Sequence, residues 1–270
     1  MLKITRKILL YFFIFTFACA AIFLKTILSC GADPVILMYH SIGEAQAEKK
    51  NSLNISLKSF EQQMEFLRAN HYRVIPLLEL KNLLKENKKI PPKTVVLTFD
   101  DGYENNYTNA FPILKKYNFP ATIFVTVNYL EKERMMYDRV YRFLTKKMIH
   151  EMSDSGLIVI GSHALEHRYL PSISDESELW KEINDSKGIL EKILKKPVEA
   201  FCYPVGGHTP LLEAMVKKSG YQIAVIIAPE KGERRDNLYA LGRIKMTENS
   251  GNPVALWVKL SGYYLRLKEL

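Results

Sequence analysis

Thr94-Val95-Val96-Leu97-Thr98-Phe99-Asp100-Asp101-Gly102 is the stretch from which the rest of the chain is read. Its first six residues are nearly all apolar or β-branched, the pattern of a strand covered on both faces. Two carboxylates and a glycine then end it. Neighbouring strand side chains face opposite ways, so Asp100 and Asp101 reach one small site only where the backbone bends at the strand's end. Adjacent acids placed there call for a cation or a substrate to offset them, or for a turn open to solvent. In α/β barrels, active sites gather at these C-terminal strand ends.

Working outward, short β-rich runs alternate with longer amphipathic ones. Upstream, the pattern predicts strands over 35–39 and 72–75 and helices over 60–70 and 77–86, with Phe60, Met64 and Leu67 on one stripe. Downstream it predicts strands over 121–125, 157–160, 200–202 and 223–227, and a short one over 243–246. Helices are predicted over 110–117, 138–152, 176–194, 211–219 and 254–267. Seven or eight such alternations, without a linker or a repeat, describe one α/β domain. A closed or nearly closed barrel fits better than an open doubly wound sheet, because no glycine-rich loop follows the first strand.

The chain has 270 residues, 25% of them charged and 11% aromatic, which excludes wholesale disorder. Its three cysteines form no CxxC spacing, so neither a disulfide framework nor a zinc ribbon is encoded. Of the net charge of +9, Lys3, Arg6, Lys7 and Lys25 contribute four in an acid-free stretch, residues 1–30. The remainder is too mild to call for a nucleic-acid partner. Residues 8–24 are an uncharged run behind three of those basic residues. As a helix they would span about 25 Å, and snorkelling of Lys25 would let residues 26–28 extend it across a bilayer. We read residues 1–30 as a signal-anchor or signal peptide, with the basic end cytoplasmic and residues 31–270 outside. An uncleaved anchor is favoured over lipidation of Cys30, whose preceding residues loosely resemble a lipoprotein box. Cys202 is then the one cysteine of the exported body.

A second polar cluster follows the predicted strand over 157–160: Gly161-Ser162-His163-Ala164-Leu165-Glu166-His167. Four residues apart on a helical turn, His163 and His167 would point the same way and share a metal. Glu166 directly precedes the second histidine, so this is not the HExxH of zinc proteases. One aspartate with two histidines makes a 2-His-1-carboxylate set with open positions for water and substrate. A third segment, Phe201-Cys202-Tyr203-Pro204-Val205-Gly206-Gly207-His208, reads as a tight exposed loop in which a backbone N–H could meet a developing oxyanion.

In this order, TFDDG at 98–102, SHALEH at 162–167 and FCYPVG at 201–206 resemble the polysaccharide deacetylases of carbohydrate esterase family 4, the NodB homology domain. VILMYHS at 35–41, FEQQMEFL at 60–67 and PATIFV at 120–125 are similar to the subgroup of bacterial poly-N-acetylglucosamine deacetylases. The resemblance spans residues 34–247 and implies a distorted (β/α)7 barrel, preceded here by the N-terminal membrane helix. It implies a divalent metal on Asp101, His163 and His167, with zinc first and cobalt, nickel or iron compatible with the same donors. It also implies Asp100 as general base and the Val205 backbone N–H as oxyanion donor. The substrate implied is an extracellular or cell-wall polysaccharide containing N-acetylhexosamine, with biofilm matrix as a family-based setting.

Three departures stand out. By the resemblance, Ala164 occupies a place usually held by Ser or Thr, and Cys202 the place of an arginine that classical members carry, a loss shared in kind by the alanine-bearing subgroup. No histidine follows His208, so the late leucine-x-histidine motif that supplies the acid is missing. His40, at the end of the first predicted strand, and His208 are the candidates for that role. Tyr103 and Tyr203 are candidates for lining a sugar groove, whereas His71 and His150 read as surface groups. Two other readings use the same residues: an O-acetyl polysaccharide esterase, and a non-catalytic glycan-binding or envelope-assembly protein.

Overall fold

The run 94–99 forms a strand buried from end to end, and its alternate residues serve two cores. Val95, Leu97 and Phe99 join one cluster and Val96 the other. The computed structural model describes residues 11, 13, 15–17, 35–43, 53–136, 139–228, 237–261 and 264. The chain divides into two units, Met1–Asp33 and Pro34–Leu270, and all elements below belong to the second. In chain order the strands are β1 (Val35–Tyr39), β2 (Ser41–Gly43), β3 (Asn54–Ser56), β4 (Arg73–Val74), β5 (Thr94–Phe99) and β6 (Ala121–Val125). They continue as β7 (Glu133–Met136), β8 (Arg139–Arg142), β9 (Ile158–Ser162), β10 (Ala200–Cys202), β11 (Ile223–Val225) and β12 (Ile244–Lys245).

One sheet runs β11-β10-β9-β6-β5-β1-β12, with β4 on the start of β5. All its pairings are parallel, which obliges crossover connections. Helices such as Leu57–Ala69, Phe111–Tyr117 and Pro210–Lys218 supply them. Ile36 of β1, Val96 of β5, Phe124 of β6, Cys202 of β10 and Val225 of β11 meet in one apolar cluster, which requires the sheet to curl. The result is a curled parallel half-barrel. A bridge between Val225 and Leu241 and a bond from Arg243 N–H to the Ile227 carbonyl (3.0 Å) link its two ends.

Register places the site. Tyr39 pairs with Phe99, Phe99 with Ile123, Val125 with Ser162, and Ser162 with Phe201. The residues just past these positions, including His40, Asp100, His163 and Cys202, therefore emerge on one rim.

Three expectations need correction. Residues 138–152 are not one helix: β7 and β8 form an antiparallel hairpin, and the helix is Lys146–Asp154. The Thr145 side chain caps that helix by accepting from Met148 N–H, and the β-forming Val140, Tyr141 and Phe143 lie before the cap. Over 176–194, a π-helical turn (Lys181–Asp185) separates two α-helical segments. The late helix is Pro253–Lys259; residues 262–263 and 265–267 of the predicted span lie outside the described residues. Most of the expected membrane segment, 8–28, also lies outside them, and no helix among the described residues is long and apolar enough to cross a membrane.

Candidate active site

At the end of β5 the chain takes a left-handed turn, with φ of 71° at Asp101 and 76° at Gly102. That bend brings both carboxylates to one cleft of about 330 Å³, which His40, His163, His167, Tyr203, Val205 and Arg243 also line.

Asp100 is buried, and its main-chain N–H donates to the Tyr39 carbonyl at 2.9 Å. Arg243, just before β12 and 1% exposed, grips it with both terminal nitrogens: Nη1 to Oδ1 at 2.6 Å and Nη2 to Oδ2 at 2.7 Å. Arg243 also donates to the Ile226 carbonyl (3.0 Å), to Thr98 Oγ1 (3.1 Å) and to Cys202 Sγ (3.1 Å). Burial by itself raises the pKa of Asp100, but the guanidinium outweighs it and holds the carboxyl below its ordinary value. Burial pushes the Cys202 thiol well up, so it stays protonated.

The second donor set is Asp101, His163 and His167, whose ligand atoms lie within 4.8 Å of one another. His163 Nδ1 contacts the Cys202 carbonyl at 2.8 Å; a carbonyl only accepts, so Nδ1 carries the proton and Nε2 presents a lone pair. Burial pulls the pKa of His163 down to about 4, leaving it neutral at physiological pH. Nε2 of His163 and of His167 stand 3.5 and 3.2 Å from Asp101 Oδ1, an oxygen that is buried yet finds no aligned hydrogen bond among the described residues. Burial works to raise the pKa of Asp101, but the His167 contact and the nearby imidazoles outweigh it and hold the carboxyl far below the usual range. A carboxylate oxygen with no aligned hydrogen-bond donor among the described residues, faced by two imidazole nitrogens, fits a divalent cation. Asp100, His163 and Cys202 are also close together. Arg243 occupies both oxygens of that aspartate and the thiol is protonated, so this second trio is a poor ligand set.

The imidazoles do not converge as a helical pair. His163 leaves the end of β9, and residues 163–169 form a loop with left-handed Ala164 (φ 61°) and His167 (φ 55°). Buried Glu182 holds this loop, accepting from Leu165 N–H (2.9 Å) and Glu166 N–H (3.1 Å). At Ala164 the hydrogen bonding comes from the previous residue: Ser162 Oγ accepts from Ala164 N–H at 3.2 Å and donates to Ser186. Glu166 accepts from Asn128 and is not among the cleft-lining residues.

His40 reaches the site, its Nε2 3.8 Å from Asp100 Oδ2. Burial lowers its pKa, against the opposing pull of Asp100 and Asp101. Val205 lines the cleft with a left-handed backbone (φ 58°), and Gly206 follows at φ 78°. His208 is not among the cleft-lining residues: its Nε2 lies 3.7 Å from Glu213 Oε1 and its ring meets that of Tyr203 at 5.8 Å. Sequence reading missed Arg243 and Glu182. The available signal for Arg243 was a lone cation in the otherwise uncharged run 238–244, which needs a buried acid if that run enters the core.

Residues 87–224 match the polysaccharide deacetylase family. The Bacillus subtilis (strain 168) protein YxkH is 32% identical over 225 residues, covering 83% of this chain and 75% of its own length. The poly-beta-1,6-N-acetyl-D-glucosamine N-deacetylase of Staphylococcus aureus (strain MRSA252) is 26% identical over 213 residues, 76% of this chain and 72% of that protein. Among solved structures, the Streptococcus pyogenes deacetylase PplD in complex with acetate aligns with a TM-score of 0.74 at 28% identity, over 85% of this chain and 99% of that one.

Proposed function

The chain belongs to the polysaccharide deacetylase family, and from that premise we propose that it hydrolyses N-acetyl groups on an N-acetylglucosamine-containing polysaccharide of the cell envelope or its surroundings. The observation that carries this reading is the pairing of an arginine-clamped, ionised Asp100 with the Asp101, His163 and His167 donors in one cleft. A protein that only held glycan would have no use for a base prepared in this way.

Asp101, His163 and His167 would hold a divalent metal, zinc being our first choice, and it would supply Lewis acidity to water and to an acetyl carbonyl. Asp100 takes the proton of the attacking water, and Arg243 keeps it ionised and aimed. The Val205 backbone N–H is assigned to the oxyanion. His40, whose Nε2 faces Asp100 Oδ2 at 3.8 Å, is assigned to pass the proton that Asp100 takes from water on to the departing amine, and the products are acetate and a free amino sugar. The same reading takes residues 1–30 as the anchor and residues 31–270 as a catalytic domain outside the cytoplasm, on the strength of the apolar run 8–24 behind Lys3, Arg6 and Lys7.

The test is acetate release with defined metals from poly-β-1,6-N-acetylglucosamine, chitin oligomers, peptidoglycan and acetylated xylan. Release from an N-acetylated polymer supports the proposal, and release from xylan alone would make the protein an O-acetyl esterase. Asp100→Asn should abolish release while elemental analysis finds the metal retained; full activity in that variant would remove Asp100 from the role of base. Replacing His163 with Ala should lower metal stoichiometry, and an unchanged value would exclude it as an essential ligand.

A further inference from the structure

Asn105-Asn106-Tyr107-Thr108-Asn109 follows closely on the catalytic turn, and nothing in the chemistry above uses its three asparagines. They lie at the start of and within a π-helical turn, Asn106–Ala110, a rare backbone form that is frequent at functional sites.

All three amides bind residues 40–42, where the chain passes from one sheet to another. β1 ends at Tyr39 and β2 begins at Ser41, so His40 lies between two ladders and belongs to neither. Asn106 Nδ2 donates to the His40 carbonyl at 2.7 Å. Beside it, Asn105 Nδ2 donates to Ser41 Oγ (2.7 Å), Asn105 Oδ1 accepts from Ile42 N–H (3.2 Å), and Asn109 Nδ2 donates to the Ile42 carbonyl (2.7 Å).

Asn106 stands apart from its two neighbours because it is fully buried. Its main-chain N–H donates at 3.0 Å to the carbonyl of Tyr103, a residue that lines the catalytic cleft. Its Oδ1 is buried and finds no aligned hydrogen bond among the described residues. An amide buried with half of its capacity unused costs stability, and what this one contributes is concentrated in the bond to His40. His40 needs such a hold. Its Nε2 stands 3.8 Å from Asp100 Oδ2, beyond hydrogen-bond distance, so the carboxylate does not fix the ring directly. Proton transfer depends steeply on placement, and a small drift of the ring would interrupt it.

We propose that Asn106 is a positioning residue for the proton transfer: by holding the His40 carbonyl, it keeps the imidazole between Asp100 and the departing amine. This rests on the deacetylase reading and its use of His40. Loss of the hold should slow only a leaving group that needs a proton. The metal-loaded full chain is assayed on a β-1,6-linked N-acetylglucosamine tetramer, whose amine must be protonated, and on an aryl acetate, whose phenolate leaves without a proton. In Asn106→Ala, kcat for the tetramer should fall about 10–100-fold with KM little changed, while the aryl acetate rate stays within about twofold. Asn106→Leu fills the space without the amide and should behave in the same way; melting curves check that both variants fold. Equal falls on the two substrates, or no fall on the tetramer, overturn the proposal. If the intact protein releases no acetate from the tetramer, the deacetylase reading fails, and labelling of His40 by diethyl pyrocarbonate, read by mass spectrometry, decides the hold. Faster labelling in folded Asn106→Ala upholds it; an unchanged rate rejects it.

Discussion

The Arg243 guanidinium meets five partner atoms from three strands or their ends, two of them the oxygens of Asp100. The guanidinium arrives from beside β12, and its Nη2 reaches the small side chain of Cys202 at 3.1 Å. In Arg243→Ala the burial that raises the Asp100 pKa would lose its largest opposing cause. The acid limb of the kcat/KM profile should therefore move to higher pH, and the rate at neutral pH should fall by about 10²–10⁴. Arg243→Lys keeps a charge but not the two-pronged grip and should fall between; a wild-type acid limb in folded Arg243→Ala would refute the role. The stability effect has a definite sign. A carboxylate whose folded pKa lies below its unfolded value of about 3.9 stabilises the fold above that value, and the contribution fades as pH falls through the folded value. Breaking such a buried pair costs about 3–5 kcal/mol, readable by urea titration. Asp100 could be found in the sequence because it interrupts an apolar strand. Arg243 could not be paired with it, since 143 positions separate them and only the curl of the sheet brings them together.

At the scale of elements, the loop after β9 is the informative case. The His163–His167 spacing suggested a helical turn, yet the chain follows an irregular path through two left-handed non-glycine residues, Ala164 and His167. Local propensity does not announce such a path, because tertiary contacts impose it. Glu182 is the principal one, taking two main-chain N–H groups from a π-helical turn that the sequence pattern did not mark. Glu182→Ala would strand both donors, and metal affinity measured by chelator competition should weaken about 10–100-fold. Glu182→Gln retains an acceptor oxygen and should lose less; equal affinity in the Ala variant would show that the loop holds itself. Gly161, within β9, tests the strand beneath. A Cβ there would lie 2.6 Å from Phe124 Cδ1 and 3.0 Å from the Ala200 carbonyl oxygen. Gly161→Ala should cost about 1–3 kcal/mol, seen as a lower Tm, because strands on both sides must yield.

Across the molecule, the alternation of strand and helix patterns was enough to foresee a parallel sheet whose strand ends carry the polar residues. Its limits lay where pairing is non-local. The β2–β3 pair and the β7–β8 hairpin consist of short strands whose partners no periodicity identifies, and curvature follows from side chains meeting across the sheet. The register nevertheless gathers every residue assigned to the chemistry, His40, Asp100, Asp101, His163, His167, Val205 and Arg243, within Pro34–Leu270. That unit holds both apolar clusters as well, from Val35 to Leu260. A protein starting at Pro34 should therefore unfold in one cooperative transition, bind the same metal equivalent by elemental analysis and release acetate at the rate of the full chain. In membrane fractionation it should stay in the supernatant, whereas the full chain should sediment if residues 8–28 anchor it. Loss of metal or of activity in the shorter protein would mean that residues 1–33 contribute to the site. Sedimentation of the shorter protein would instead require a second attachment surface on the catalytic unit.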